Sequence, residues 1–468
     1  MLCYTIMIIE IKTHETIAEF FRRKGVVPAA DCGGHAGCGK CRVELLSGIW
    51  KSCGRIVEAP AAAIPCVTRL ERGPGMVRLP DQEIRHIQIA GEWFHTPPLP
   101  VIAEPVIAVD AGTTTLAAVR IEKGIPVRRA GAFNGQCICG DNIITRIARQ
   151  EKDFPLLRRL LLDSIASLLE ELDFQSALRI GFAGNTAMNC FLHGIRPNSI
   201  GIYPFQAPQT FFPERTDLWG DRPVFTVPSL TGLLGGDITG ALFESPLEEG
   251  EMLLDLGTNC EIVFCTDGSL YGTSAAAGPA FEGAGITAGS RAVNGAIDHW
   301  YGKKNYSVIG GGAASSVCGS ALVDLLASAR SSGLLTEFGR FTSDASAFEL
   351  APGVAVSEKD IAELLKAKAA VASAVCAVEQ YCGTKVKKLL LAGGFSQGLD
   401  IDSAKKCGLL PDVETKICGN LSLAGAARVA LTPEKTLQMA SVKEKIRELH
   451  LNEIPGYEEL FMRNLRLP

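Results

Sequence analysis

Two short apolar runs, each ending on an aspartate, recur along the chain and organise its pattern of hydrophobic and polar positions. The first run covers residues 106–109 and ends on Asp110, and the second covers 252–254 and ends on Asp255, 145 residues later. In both copies a glycine and then a hydroxyl residue follow, where a sharp turn would lead into another strand. The pattern therefore predicts, twice, a buried strand that ends in the motif D-x-G-T.

A β-hairpin is predicted after each motif. The first would begin with a strand over 114–121 and turn at 122–124, and the second would begin over 261–265 and turn at 266–269. A single D-x-G-T motif occurs by chance in turns. Two copies followed by similar hairpins predict a duplicated nucleotide-binding fold.

The D-x-G-T motif suits a phosphate group and its divalent cation. An aspartate can hold the cation, usually through water, while backbone amides and hydroxyl groups face the phosphate oxygens. The candidate residues beside the two aspartates are Gly112, Thr113, Thr114 and Thr115 in the first copy and Gly257, Thr258 and Asn259 in the second.

Further glycine-rich segments follow the second motif. Residues 276–285 are too rich in glycine for a regular element and predict a loop that approaches a ligand. A helix is predicted to start near Gly319 and Ser320, where its free amides could meet phosphate. A buried strand leads to Gly393 and Gly394, where a flat adenosine could lie against bare backbone. Each segment alone could equally reflect tight packing, and their ordered recurrence favours the nucleotide site.

Four of the 16 cysteines share the spacing C-x5-C-x2-C-x24-C, namely Cys32, Cys38, Cys41 and Cys66. The first three lie in a glycine-rich loop, which can wrap a cluster and leave its amides free to bond the sulfurs. This loop resembles that of 2Fe-2S ferredoxins. Because no export signal is evident, disulfides are the poorer interpretation, and most other cysteines are expected to be small core residues.

Alternatives to this cluster have weaker support. Zinc sites favour paired C-x2-C knuckles, and this chain offers one such pair without a matching histidine pair. Cys53 could replace Cys66 as the fourth ligand, but 64–69 resembles the ferredoxin strand that returns to the cluster, whereas Cys53 falls in a polar turn. Residues 34–41 nearly spell a P-loop, yet Cys41 stands where Mg²⁺ binding needs serine or threonine.

Composition narrows the possible functions. The chain has 468 residues, 47% of them apolar, and a formal net charge of −5, so it is long enough for about three globular domains and has no basic surface for nucleic acid. The N-terminus is apolar but lacks a basic start, and no run approaches the ~20 apolar residues of a membrane-spanning helix. We expect a soluble, cytoplasmic protein that binds neither nucleic acid nor membrane.

The remaining pattern predicts elements and domain boundaries. The predicted domains are a ferredoxin unit (1–90), a proline-rich linker (91–104), two ATPase subdomains (105–245 and 246–432) and a helical tail (433–468). The ferredoxin unit should contain strands over 4–11 and 42–46 and a helix over 16–23. Predicted helices further along the chain cover 142–150, 156–172, 238–243 and 442–449, and a predicted strand covers 178–182.

Together these motifs resemble the reductive activators of corrinoid proteins, in which a 2Fe-2S ferredoxin domain is fused to an ATPase of the acetate kinase, sugar kinase, heat-shock chaperone and actin superfamily. The matching segments are the cysteine loop and residues 109–115, 184–189, 255–259, 276–285, 318–320, 391–395 and 457–468. The resemblance implies a β-grasp-like ferredoxin domain followed by a duplicated ribonuclease H-like ATPase domain.

The resemblance also implies a function and site roles. The function would be ATP-dependent reduction of a Co(II) corrinoid protein of a methyltransferase system to Co(I), with electrons from an unidentified low-potential donor. Asp110 and Asp255 would hold Mg²⁺ through water, and Glu282 would position the attacking water, although it could equally be a loop carboxylate. Thr113, Thr114 and Thr258 would bind phosphates, Gly393 and Gly394 would bound the adenosine pocket, and the four cysteines would hold the cluster.

Two features depart from this family. Only about 15 residues separate the ferredoxin unit from the ATPase, where other members carry a further linker and middle domain, so the expectation of a homodimer stays open. Cys137 and Cys139 form a C-x-C pair that chance core cysteines explain better than a redox pair.

Rival functions fit the pattern less well. They are a nucleotide-switched electron carrier and an activator of another low-potential enzyme, such as a 2-hydroxyacyl-CoA dehydratase, against which the ferredoxin loop argues. A sugar kinase fused to a ferredoxin is the weakest rival, because a kinase gives no reason for a cluster.

Overall fold

A computed structural model of the chain describes residues 8–24, 42–78, 98–140, 142–302, 305–344 and 346–468. Within these ranges the chain forms a small antiparallel β-unit followed by two α/β lobes with related strand orders. The predicted α/β class and the predicted duplication are therefore confirmed.

The N-terminal unit is a sheet covered by one helix. Its elements are β1 (Ile8–Ile11), α1 (Ile17–Lys24), β2 (Val43–Ser52), β3 (Arg55–Glu58), β4 (Ala61–Ala63) and β5 (Thr68–Arg78). The strands pair antiparallel in the order β1-β5-β2-β3, with β4 beside β2. The segment predicted to return as a strand at residue 64 instead makes a 3-10 turn over Pro65–Val67 before β5 begins. Of the predicted cluster ligands, Cys32, Cys38 and Cys41 lie outside the described residues, as does the start of the predicted first strand.

The first lobe contains the first D-x-G-T motif. Its elements are β6 (Val106–Ala111), β7 (Thr115–Glu122), β8 (Ile125–Phe133), α2 (Ile143–Glu171), β9 (Ile180–Gly184), α3 (Thr186–His193), β10 (Val224–Thr226) and α4 (Gly236–Glu244). The sheet order is β10-β9-β6-β7-β8, with β6, β9 and β10 parallel and β7 and β8 forming the predicted hairpin.

Helix α2 corrects one prediction, because the two helices predicted over 142–150 and 156–172 form a single helix that continues through Pro155. Ile147 before the proline and Leu157 and Leu161 after it are all buried in the same apolar cluster against the sheet. This shared burial keeps the helix continuous despite the hydrogen bond that a proline removes.

The second lobe repeats this arrangement and adds to it. Its elements are β11 (Glu251–Leu256), β12 (Cys260–Thr266), β13 (Ser269–Ala275), β14 (Ala296–Gly302), β15 (Asn305–Val308), β16 (Ser316–Val317), α5 (Gly319–Ser331), β17 (Ala347–Ala351), β18 (Val354–Ser357), α6 (Glu358–Cys382), β19 (Lys388–Ala392), α7 (Ile401–Lys406), β20 (Glu414–Gly419), α8 (Leu421–Leu431), α9 (Lys435–Ala440), β21 (Ile446–Glu448) and α10 (Tyr457–Asn464). The main sheet runs β20-β19-β11-β12-β13-β21. Strands β11, β12, β13, β19 and β20 thus correspond in order and direction to β6, β7, β8, β9 and β10.

Strand β21 shows that the predicted helix over 442–449 is wrong. A 3-10 turn covers Ser441–Lys445, and β21 then pairs parallel with β13, with Ile446 opposite Leu270. The edge of β13 offers free backbone hydrogen-bonding groups, and pairing with them outweighs the helical preference of this segment.

The two lobes exchange one helix each. Helix α8 of the second lobe is buried in a cluster with β6 of the first lobe, and α4 of the first lobe is buried in a cluster with β11 and β19 of the second. The two helices cross so closely that a Cβ on Gly425 would lie 2.4 Å from the Cα of Gly240. Each lobe is therefore completed by a helix from the other. In the described parts of the chain, no helix has the length and apolarity needed to cross a membrane.

Candidate nucleotide-binding cleft

Asp110 lies at the end of β6 and is bonded by the helix that comes from the other lobe. The side-chain amide of Asn420 donates to one carboxylate oxygen (2.8 Å), and the hydroxyl of Ser422 donates to the other (2.6 Å). Burial raises the pKa of Asp110, and these two hydrogen bonds oppose the rise. The first aspartate is thus already partnered by neutral donors.

Asp255, at the end of β11, is surrounded instead by further acids. Glu261 lies directly opposite Asp255 on β12, and Asp237, in the first turn of α4, is close enough to repel it. Burial, followed by repulsion from Asp237 and Asp110, raises the pKa of Asp255 to about 8. Burial likewise raises the pKa of Asp237 to about 7 and that of Glu261 well above its ordinary value. The cleft therefore groups three acidic side chains beside the second motif that tend to keep their protons until a cation compensates their charge.

The four carboxylates fit a hydrated divalent cation. Each is partly accessible to solvent, so an ion can reach it, and a cation would relieve the mutual repulsion that burial makes costly. In the described ranges, no group of three or more His, Cys, Asp or Glu side chains could hold a metal ion directly. A Mg²⁺ ion bound here would be held through its own water molecules, which this ion gives up reluctantly.

The threonines of the two motifs meet across the cleft. The hydroxyls of Thr114 and Thr258 lie 3.0 Å apart, and the Thr258 hydroxyl donates to Glu282 (2.5 Å). In the first lobe, the side-chain amide of Asn185 donates to the hydroxyl of Thr113 (3.2 Å). The structure therefore places Glu282 beside the threonines that the sequence assigned to phosphate binding.

The other motif residues shape the two turns. The amide of Gly112 donates to the carbonyl of Thr115 (2.9 Å), and the amide of Gly257 donates to the carbonyl of Asn259 (3.0 Å). Their predicted phosphate contacts stay predictions.

Two of the predicted glycine sites have steric reasons to be glycine. A Cβ on Gly393, which has φ +86°, would lie 2.4 Å from a carboxylate oxygen of Asp255, and a Cβ on Gly319 would lie 1.8 Å from the carbonyl oxygen of Phe281. A Cβ on Gly394 would have no atom of the described residues within 4 Å, which leaves room for a ligand. The hydroxyl of Ser320 donates to the carbonyl of Asp298 (2.6 Å), so its predicted phosphate contact remains untested.

Sequence reasoning missed Asp237, Glu261, Asn420 and Ser422. The register of the predicted hairpin could have identified Glu261, because the residue opposite Asp255 shares its face of the sheet. Asp237 and Ser422 reach the cleft only because the lobes exchange helices, and no local pattern reports that exchange.

Near the predicted cluster, the structure places both candidate fourth ligands close to one another. Cys66 lies in the 3-10 turn before β5, and the backbone amide of Cys53 donates to the carbonyl of Val67 (3.2 Å). Cys53 is exposed and has φ +49°. The choice between Cys66 and Cys53 therefore remains a prediction.

The acidic cleft predicts how stability depends on pH and Mg²⁺. Between about pH 4 and pH 8 the unfolded chain has lost the Asp255 proton while the folded protein retains it, so the metal-free protein should lose stability as pH rises through this window. Mg²⁺ should therefore raise the melting temperature more at pH 8 than at pH 6. Thermal melts in EDTA and in Mg²⁺ measure both effects. Asp237→Asn should flatten the pH dependence, and equal Mg²⁺ stabilisation at both pH values would contradict the prediction.

Comparisons with known proteins agree with this architecture. Residues 249–468 match a model described as the C-terminal ASKHA domain of RACo, residues 106–250 match the RACo middle region, and residues 5–71 match a 2Fe-2S iron-sulfur cluster binding domain. The expectation that this chain lacks a middle domain is therefore wrong, because the first lobe is the segment that matches the middle region.

Two relatives and one solved structure are similar over long stretches. The corrinoid activation enzyme RamQ of Eubacterium limosum is 27% identical over 414 residues, which covers 76% of this chain and 69% of the relative. A Co(II) methylated amine-specific corrinoid protein reductase of Methanosarcina barkeri is 25% identical over 290 residues, which covers 54% of this chain and 53% of that protein.

The solved structure is a reductive activator for corrinoid, iron-sulfur protein. It superposes with a TM-score of 0.72 at 22% identity and covers 98% of this chain and 96% of its own, which shows the same fold. The two RACo models together cover residues 106–468 without a gap, after the ferredoxin match at 5–71. The chain therefore belongs to the RACo family, the reductive activators of corrinoid proteins, and in it a region that matches a 2Fe-2S domain precedes an ASKHA domain.

Proposed function

We propose that this protein couples ATP hydrolysis to the reduction of a corrinoid protein. One electron leaves the 2Fe-2S domain and converts Co(II) of the partner to Co(I), while ATP and water give ADP and phosphate. A low-potential donor then returns one electron to the 2Fe-2S domain. The observation that carries the proposal is the acidic cleft between two exchanged lobes, in a chain whose N-terminal region matches a 2Fe-2S domain. The names of the two relatives support the corrinoid partner.

Different residues of the cleft bind different parts of Mg-ATP. Asp110 and Asp255, together with Asp237 and Glu261, hold the hydrated cation, whose charge offsets that of the phosphates. The threonines of the two motifs face the phosphates, and the open space beside Gly394 receives the adenosine. Glu282, which accepts a hydrogen bond from the Thr258 hydroxyl, is in reach of the same phosphates and orients the attacking water.

The exchanged helices supply a route for coupling. Ser422 of α8, a helix that comes from the second lobe, donates to Asp110, and Asp237 of α4, a helix that comes from the first lobe, acts electrostatically on Asp255. A nucleotide that favours one relative position of the lobes therefore also favours one geometry of the whole chain toward its partner. Coupling of this kind requires only a difference in nucleotide affinity between the two positions.

The test is an anaerobic reduction assay. The reduced protein is mixed with a Co(II) corrinoid protein, and Co(I) absorption is followed without nucleotide, with Mg-ATP and with a non-hydrolysable Mg-ATP analogue. Of these three conditions, only Mg-ATP should lead to accumulation of Co(I). Equal Co(I) formation in all three conditions would refute ATP coupling and favour a simple electron carrier.

A further inference from the structure

A close backbone approach places an acid and a base side by side at the rim of the cleft. Gly283 has φ +77°, and a Cβ there would lie 2.4 Å from the amide nitrogen of Ser290. The residues beside this contact, Glu282 and Arg291, consequently face each other, with Arg291 Nε 4.0 Å from Glu282 Oε2. Both side chains are largely shielded, with exposed fractions of 19% and 26%, so their attraction is less screened than at an open surface.

Arg291 also touches the first lobe. Its guanidinium carbon lies 4.3 Å from the ring centroid of Phe133, the last residue of β8. A guanidinium at this distance over an aromatic ring is attracted by the negative face of the ring. Arg291 therefore contacts an acid of its own lobe and an aromatic ring of the other.

A second contact across the cleft ends on the same acid. The Thr258 hydroxyl donates its hydrogen to Glu282, so the hydrogen in the Thr114–Thr258 hydrogen bond must come from Thr114. One carboxylate oxygen of Glu282 thus accepts the hydrogen bond from Thr258, and the other oxygen faces Arg291. Both Thr258 and Arg291 are in contact with the first lobe.

We propose that Arg291, seated on Phe133 of the opposite lobe, is a positioning residue for Glu282. When the lobes close, Phe133 fixes the guanidinium, and the guanidinium in turn directs Glu282 toward Thr258 and the phosphates. When the lobes separate, Arg291 loses its contact with the Phe133 ring, and Glu282 is no longer held in its orientation. Hydrolysis is thereby confined to the closed state. This inference rests on the proposed ATPase function and assigns Phe133 and Arg291 a part in its control.

Phe133→Leu is the primary test, because it removes the ring, keeps an apolar side chain and leaves Arg291 and Glu282 in place. It should lower kcat for ATP hydrolysis by about threefold to tenfold, with little change in KM for Mg-ATP, whereas Phe133→Tyr keeps the ring and should behave like wild type. Arg291→Ala should lower kcat at least as far, and the double variant should be no worse than Arg291→Ala. Wild-type kcat in Phe133→Leu, or losses that multiply in the double variant, would overturn the proposal.

Hydrogen exchange gives a second readout that needs no hydrolysis. The amide of Gly278 donates to the carbonyl of Thr258 (3.0 Å), so its exchange reports whether this loop is held. Exchange should be faster in Phe133→Leu and Arg291→Ala and unchanged in Phe133→Tyr. Identical exchange in all three variants and the wild type would refute the positioning role. If the wild-type protein hydrolyses no ATP, the proposed function fails, and exchange still decides this inference.

Discussion

Asp255→Asn should abolish ATP hydrolysis and at the same time stabilise the metal-free protein. Asparagine keeps the shape of the side chain but removes a negative charge that burial and two neighbouring aspartates make costly. In EDTA at pH 8 the melting temperature should therefore rise by a few degrees. Loss of the same charge weakens the hold on Mg²⁺, and kcat/KM for Mg-ATP should fall at least about 100-fold. A variant that is more stable and inactive cannot owe its inactivity to misfolding.

The chain offers matched controls for this experiment. Asp267 lies exposed at the tip of the next hairpin with φ +51°, and Asp267→Asn should change neither activity nor stability. Gly393→Ala would push a methyl group against the Asp255 carboxylate and should also abolish hydrolysis. Gly268 has a similar φ of +67°, but a Cβ there would have no described atom within 4 Å, so Gly268→Ala separates backbone strain from the clash. Full ATP hydrolysis by Asp255→Asn would show that Asp255 is not needed in the nucleotide site.

Cys66→Ser should remove most of the 2Fe-2S cluster. Serine keeps the size of the side chain but replaces the thiolate that iron prefers, so the iron and sulfide content, the visible absorption and the electron paramagnetic resonance signal of the reduced protein should all fall. Without the cluster, Co(I) formation should stop. ATP hydrolysis should persist, because the acidic cleft is built wholly from other parts of the chain.

Cys53→Ser is the matched control, since Cys53 lies beside the same turn and is exposed. This variant should retain the cluster and its spectrum. A reversed result, with the cluster lost in Cys53→Ser and kept in Cys66→Ser, would identify Cys53 as the fourth ligand and refute the prediction for Cys66.

The sequence predicted those parts of the cleft that depend on local pattern. The two apolar runs became β6 and β11, and both hairpins formed where expected, because burial, a glycine turn and strand pairing act on neighbouring residues. Thr114 and Thr258 could also be assigned to one site, since duplicated strands end at corresponding places.

The remaining features depend on contacts between distant segments. Residues 446–448 form a strand because the edge of β13 accepts them, and Pro155 stays inside a helix because both halves bury one face. Asp237, which repels Asp255, lies on α4, and Ser422, which donates to Asp110, lies on α8. Both helices cross between the lobes. Such contacts have no counterpart in spacing or periodicity.

The helix exchange has an evolutionary consequence. A half-length ancestor with one copy of the motif could have completed its cleft only by swapping its last helix with a second molecule, as a domain-swapped homodimer. The contact between Gly240 and Gly425 aligns the two helices, and in that alignment Asp237 and Ser422 occupy the same position. In a homodimer these two residues would have to be identical. In a single chain the two positions are free to differ, and here one aspartate has a neutral donor while the other has an acidic neighbour that favours a cation.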